Sequence, residues 1–206
     1  MSNVRVHHMG HYVCEFKVPL NIVHDLNSDI DEHLIKKDLE PFNVNLAGSI
    51  EHEYNILNIL REPLLNCFKD ACVRYINYGS DWNNRKYLIN MVACWFNDQK
   101  ENEYNPAHTH HGKNLLEGLS AVMFLRVPDA IKTAKSVNPR EPAKDGRLEF
   151  ISTMNNMFTT YNKVIDPQVG DLFIFPYGLT HTVYPFKGEG VRRSLSFNVD
   201  LTLQSK

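Results

Sequence analysis

From Lys86 onward the chain is cut into short apolar runs, and that segmentation restricts the possible fold more than any other feature. The runs are KYLINMVACWF, LSAVMFLRV, RLEFIST, GDLFIFP and VRRSLSFNVDLTL, punctuated by Gly, Pro, Asn and Asp. Each is short and rich in β-branched and aromatic residues, which pack well on a pleated surface. Several such strands with turn signals between them predict an antiparallel barrel or a double-sheet jelly roll. The first third has a different period. Val23, Leu26, Ile30 and Leu34 recur at helical spacing. After Pro63, a good first-turn residue, Leu64, Phe68, Ala71, Cys72 and Tyr75 form a second apolar stripe, expected to stop near Gly79.

Composition removes several partners. Net charge is -2 and the pI near 6.5, so no basic excess points to nucleic acid or an anionic membrane. No apolar run approaches the roughly 20 residues of a membrane span. The opening MSNVRVHHMGHYVCEF lacks the apolar stretch of a signal peptide. Cys14, Cys67, Cys72 and Cys94 are scattered, with no C-x-x-C pair, and Cys67 and Cys72 read as buried thiols of the second helix. A reducing cytoplasm is the expected location. Residues 127–146, VPDAIKTAKSVNPREPAKDG, form either a lid over substrate or a solvated loop.

The chemistry concentrates in NPAHTHHG. On a strand, residues i and i+2 share a face, so His108 and His110 point together and His111 points away. Two imidazoles on one face supply two ligands of a metal site, and the third must come from elsewhere. His181, in PYGLTHTVYPF, follows an apolar strand and begins another, and a jelly roll can bring it beside the first pair. His7, His8, His11, His24, His33 and His52 read as surface histidines. In VRRSLSFNVDL, Arg192, Ser194, Ser196 and Asn198 share one face, and Arg193, Leu195, Phe197 and Val199 the other. If the polar face lines a pocket, the fork of Arg192 and the hydroxyl of Ser194 suit a carboxylate. If it does not, this is a solvated strand face.

In order and spacing these pieces resemble the iron- and 2-oxoglutarate-dependent dioxygenases, which carry His-x-Asp/Glu, a distal His, and then an Arg followed at plus two by Ser. Here the parts are His108-Thr109-His110, His181, Arg192 and Ser194. LSAVMFL, DGRLEF and VGDLFIFP are similar to the family's intervening stretches. RRSLSFN and Trp95-Phe96-Asn97 are similar to those of a bacterial and phage subgroup related to prolyl hydroxylases. The resemblance spans about residues 86 to 200.

It implies a mainly β (α+β) fold, a double-stranded β-helix (jelly-roll) core with N-terminal helices packed on it. It implies one dioxygenase domain over residues 1–206, with 1–85 as a helix-rich support and 86–206 as the catalytic core. Fe(II) would be held by His108, His110 and His181. The far carboxylate of 2-oxoglutarate would be taken by Arg192 and Ser194, with Asn97 in reach of co-substrate or substrate. O2 is the further co-substrate. The reaction implied is hydroxylation with release of succinate and CO2, needing no catalytic side chain beyond the metal ligands. The substrate class stays open between a peptide residue, an amino acid and a small metabolite. One departure matters: His110 stands where the family has a carboxylate, and Glu149 or Glu117 are alternative donors. A cupin-type three-histidine dioxygenase without 2-oxoglutarate, and a non-catalytic metal-binding jelly roll, are the competing readings.

Overall fold

The computed structural model describes residues 5–9, 11–43, 47–78, 86–111, 118–152 and 162–204. Among these residues, eleven strands and three α-helices run in the order β1 (Arg5–Met9), β2 (His11–Lys17), α1 (Leu20–Lys36), β3 (His52–Asn55), α2 (Glu62–Tyr78), β4 (Tyr87–Gln99), β5 (Asn105–His108), β6 (Gly118–Arg126), α3 (Asp129–Lys132), β7 (Leu148–Ile151), β8 (Asn162–Ile165), β9 (Asp171–Pro176), β10 (Thr180–Val183) and β11 (Arg192–Leu203). They form two antiparallel sheets. The larger has the order β1-β2-β9-β6-β11-β4-β3 and the smaller β5-β10-β7-β8.

Alternation along the central strands fills two cores. One face of the large sheet carries Cys94, Phe96, Leu119, Ala121, Met123, Leu195 and Phe197, and the two long helices cover it with Val23, Leu26, Ile30, Leu64, Phe68 and Tyr75. The other face turns toward the small sheet. There Val122, Phe124 and Phe173 meet Phe150, Leu179, Val183 and Phe186 in a second, aromatic core. The helical stripes read from sequence are these buried faces. Leu34 is only partly buried, and the predicted stop at Gly79 falls outside the described residues.

Arg193 fastens the helical layer. Its guanidinium donates twice to the Asp98 carboxylate, both at 2.6 Å, and once to Asp31 of α1 at 2.7 Å. A planar fork on a carboxylate adds directionality to the charge attraction.

Three differences from the sequence expectations stand out. The first third, read as helix-rich, also contributes strands: β1 and β2 extend one edge of the large sheet through β9, and β3 extends the other through β4. Cys67 is partly exposed, on the rim of the α2 stripe, whereas Cys72 is buried. Residues 127–146, read as a lid or a solvated loop, contain α3, whose Ile131 plugs into the aromatic core. Among the described residues no helix is long and apolar enough to cross a membrane.

Candidate metal centre and co-substrate pocket

Antiparallel pairing of β5 with β10 sets His108 directly opposite His181. Side chains directly opposite on an antiparallel pair lie on the same face. The imidazole centroids of His108 and His181 are 4.2 Å apart, and those of His110 and His181 5.0 Å apart. His110 arrives differently from the expected i, i+2 strand geometry. β5 ends at His108, and the backbone N–H of His110 donates to the Tyr177 carbonyl at 2.9 Å. Its ring nevertheless reaches the same point, with Nε2 3.2 Å from Nε2 of His181. One potential ligand atom from each of the three histidines lies within 4.8 Å of the others. Metal–imidazole bonds of about 2.1 Å at right angles put donor nitrogens about 3 Å apart, so the three rings fit one cation.

The protonation states suit that role. Burial, reinforced by His108 and His111, pushes the pKa of His110 down to about 3. Burial also lowers His108, and it lowers His181 further with help from its two neighbours. Neutral imidazoles are the metal-binding form. His108 donates from Nδ1 to the Pro106 carbonyl at 2.7 Å, and His181 from Nδ1 to the Leu179 carbonyl at 3.0 Å. In both rings this leaves the Nε2 lone pair facing inward. His111, which lies beyond the end of β5, is exposed, as are His11 and His24.

The polar face of β11 looks into the same cavity. Arg192 and Ser194 line it together with Asn97, Trp95 and the three histidines. Arg192 is only 1% exposed, and Nη1 donates to Ser194 Oγ at 3.1 Å. Its Nε and Nη2 have no partner among the described residues. Its guanidinium sits 5.0 Å over the Phe124 ring, and burial pushes its pKa down to about 10. A buried cation with idle donors is costly unless an anion completes it. Asn97 Oδ1 and Asn105 Oδ1, both on the pocket wall, also lack partners. The idle N–H groups of Arg192 therefore suit a carboxylate, whereas the two amide oxygens are acceptors that would take N–H or O–H donors. Trp95 is 4% exposed and stacks on Phe42 at 5.2 Å, which makes it pocket wall and core at once.

The alternative carboxylates do not join the triad. Glu149 pairs opposite Thr182, so it faces away from His181, and its oxygens are taken by Lys144, Tyr184 and Asn162. Glu117 lies outside the described residues. Two pocket residues escaped the sequence reading. Ser120 lies on the pocket side of β6, a run apolar on both faces in which no alternation singles it out, and Asn105 gave no signal beyond its place before Pro106.

Comparison with known proteins agrees with this geometry. No curated protein matches the chain. Among solved structures, a prolyl-4-hydroxylase of Pseudomonas putida is 17% identical, with 92% of each chain covered and a TM-score of 0.59. A viral collagen prolyl hydroxylase from Paramecium bursaria Chlorella virus-1, in complex with 2-oxoglutarate, is 13% identical, covering 91% of this chain and 96% of its own, with a TM-score of 0.56. A Trichoplax adhaerens prolyl hydroxylase bound to a peptide fragment of the hypoxia inducible factor oxygen degradation domain is 12% identical, covering 91% and 83%, with a TM-score of 0.60. At these identities the likeness establishes the jelly-roll fold. A family model for 2OG-Fe(II) oxygenases matches residues 93–198, just over half of the 206 residues. That stretch runs from the pocket strand β4 through the histidines to Asn198, and by this match the chain belongs to the 2OG-Fe(II) oxygenase family, enzymes that use Fe(II), 2-oxoglutarate and O2.

Proposed function

We propose that His108, His110 and His181 hold Fe(II) through Nε2, and that Arg192 and Ser194 take the distal carboxylate of 2-oxoglutarate while Asn97 borders it. The observation that carries this reading is Arg192: a fully buried guanidinium, idle on two nitrogens, in the same cavity as three neutral imidazoles. A cupin-type site has no use for such a group. Bound metal and co-substrate supply the oxidising chemistry, in which 2-oxoglutarate and O2 give succinate and CO2 and one oxygen atom enters a C–H bond of the substrate. The chain supplies geometry. Arg192 and Ser194 fix one end of the co-substrate, the imidazoles fix the cation, and Trp95, Val122 and Leu148 keep bulk water from the space between them. No side chain has to act as a general base.

The dianionic co-substrate offsets the charge that a carboxylate ligand would have offset. We take the substrate to be a peptide residue, because prolyl hydroxylases, one of them seen with its peptide, share the fold over nine-tenths of this chain. Residues 1–206 are proposed to work as one unit in the cytoplasm, with 1–85 bracing the 86–206 core.

The test is Fe(II)-dependent succinate formation from 2-oxoglutarate, followed in wild type, Arg192→Ala and His181→Ala. Wild type should turn over slowly without substrate and faster with proline-containing peptides, and both variants should lose at least tenfold. Absence of succinate from wild type after anaerobic iron loading would refute the assignment.

A further inference from the structure

Two of the three imidazoles are aimed by the same device, and the third is not. His108 and His181 each give their Nδ1 proton to a backbone carbonyl two residues back, Pro106 and Leu179. That fixes a bare, inward Nε2. His110 has no such carbonyl. Its Nδ1 faces the side-chain amide of Asn198, with Nδ2 at 3.2 Å. Asn198 Oδ1 accepts in turn from Ser120 Oγ at 2.5 Å. Asn198 and Ser120 are direct partners in the β11–β6 ladder, and the β11–β4 register shifts between Asn198 and Val199. A register shift of this kind re-aims the side chain beside it.

An amide that donates to Nδ1 would force the imidazole proton onto Nε2, and a protonated Nε2 cannot bind a cation. The carboxamide is nearly symmetric in shape. A half-turn about Cβ–Cγ exchanges Oδ1 and Nδ2 within the same envelope. Oδ1 then accepts from Nδ1–H, and Nδ2 donates to Ser120 Oγ, which can accept as readily as it donates. A carboxylate at position 110 would need no such partner, since it carries no competing tautomer. A histidine there does.

We propose that Asn198, held by Ser120, is the positioning residue for His110: turned with its amide oxygen toward Nδ1, it selects the tautomer that makes His110 a metal ligand. This rests on the triad reading above, and the experiment separates the two.

The assay is Co(II) binding to the metal-free protein, followed by calorimetry and by the visible d–d bands, which report donor number and type. Asn198→Leu keeps the branched outline, though with bulkier methyl groups, and removes the hydrogen bond. It should weaken Co(II) binding by about 10- to 100-fold, the usual effect of losing a group that orients a ligand, and shift the bands toward one fewer nitrogen donor. Asn198→Asp, an acceptor only, should restore wild-type affinity and spectrum. Ser120→Ala leaves Asn198 in place and should give an intermediate loss, which keeps the idea testable if Asn198→Leu folds poorly. Wild-type affinity in Asn198→Leu, or an Asn198→Asp protein as weak as Asn198→Leu, would overturn the inference. His181→Ala and His110→Ala locate any failure. If His181→Ala still binds Co(II) like wild type, the triad is wrong. If only His181→Ala loses binding while His110→Ala and Asn198→Leu do not, the triad loses its third member and Asn198 its role.

Discussion

Replacing Arg192 by Met should make the protein more stable and blind to its co-substrate. Arg192 is 1% exposed with Nε and Nη2 unpaired among the described residues. Burial moves its pKa from 12.5 to about 10. At about 1.4 kcal/mol per pKa unit, the fold penalises the charged form by about 3 kcal/mol at pH 7, a cost present at any pH below the lowered value. Met fills a similar volume without charge. Against the gain stand the hydrogen bond to Ser194 and the contact with Phe124, together worth about 1–2 kcal/mol. The net expectation is a gain of about 1–2 kcal/mol, or roughly 2–8 °C in Tm for a chain of this size. Binding moves the other way. A buried carboxylate–guanidinium pair costs about 2–5 kcal/mol when one partner is removed, so 2-oxoglutarate affinity should fall by roughly 30-fold to several thousandfold. With Mn(II), 2-oxoglutarate at 100 times its Kd should stabilise wild type by about 2.7 kcal/mol and leave Arg192→Met nearly unmoved. Thermal melts with and without 2-oxoglutarate read both effects. A variant that melts well below wild type in the absence of ligand, or that still gains from 2-oxoglutarate, would refute the argument that this cation is held in wait for an anion.

Glu53 lies buried on β3 opposite Asn97, and burial together with Glu103 raises its pKa from 4.5 to about 7. A raised carboxyl pKa means that the fold prefers the neutral acid, so its contribution is complete below pH 4.5 and is lost as pH climbs through 7. Glu53→Gln should therefore match wild type in urea-unfolding free energy at pH 4 and exceed it by about 3 kcal/mol at pH 8; equal free energies at both pH values would show the carboxyl to be well solvated. Arg193→Met strands Asp98 and releases α1 from the sheet, which should cost about 3–5 kcal/mol in denaturant unfolding. A methyl group at Gly118 would come within 2.0 Å of the Tyr177 ring. Gly118→Ala should accordingly lose about 1–3 kcal/mol, and Co(II) affinity with it, because the Tyr177 carbonyl receives the His110 backbone N–H.

The sequence made the centre of the molecule more legible than its margins. Strict alternation in RRSLSFNV separates Leu195 and Phe197, which face the helices, from Arg192, Ser194 and Ser196, which line the pocket, because a period of two has only one solution once one face is apolar. The two helical stripes were readable for the same reason at period 3.6. His108 and His181 could be paired because both stand in short strands flanked by turn signals. The edge strands β1 to β3 were not legible. Their sequences mix His, Glu, Tyr and Asn without alternation, and β2 and β3 join the sheet through partners far along the chain, at β9 and β4, while β1 joins it through β2. His110 reaches the histidine cluster by a local route other than the one read from sequence. Strand geometry suggested His110, whereas a backbone bond to Tyr177 and a side-chain contact to Asn198 place it, and neither partner is near in sequence.

β11 also acts as a ruler. Arg192 and Asn198 stand six residues apart on one strand, about 20 Å at 3.3 Å per residue, and that strand presents both the guanidinium proposed to anchor the co-substrate and the amide beside the His110 imidazole. Spacing and facing are thus encoded by residue count alone. Adding or removing a single residue within this interval would turn one station toward the helices, whereas removing two would keep both pointing inward and bring them nearly 7 Å closer. Point substitutions along the strand can tune either station separately, but a change of length has to disturb both together.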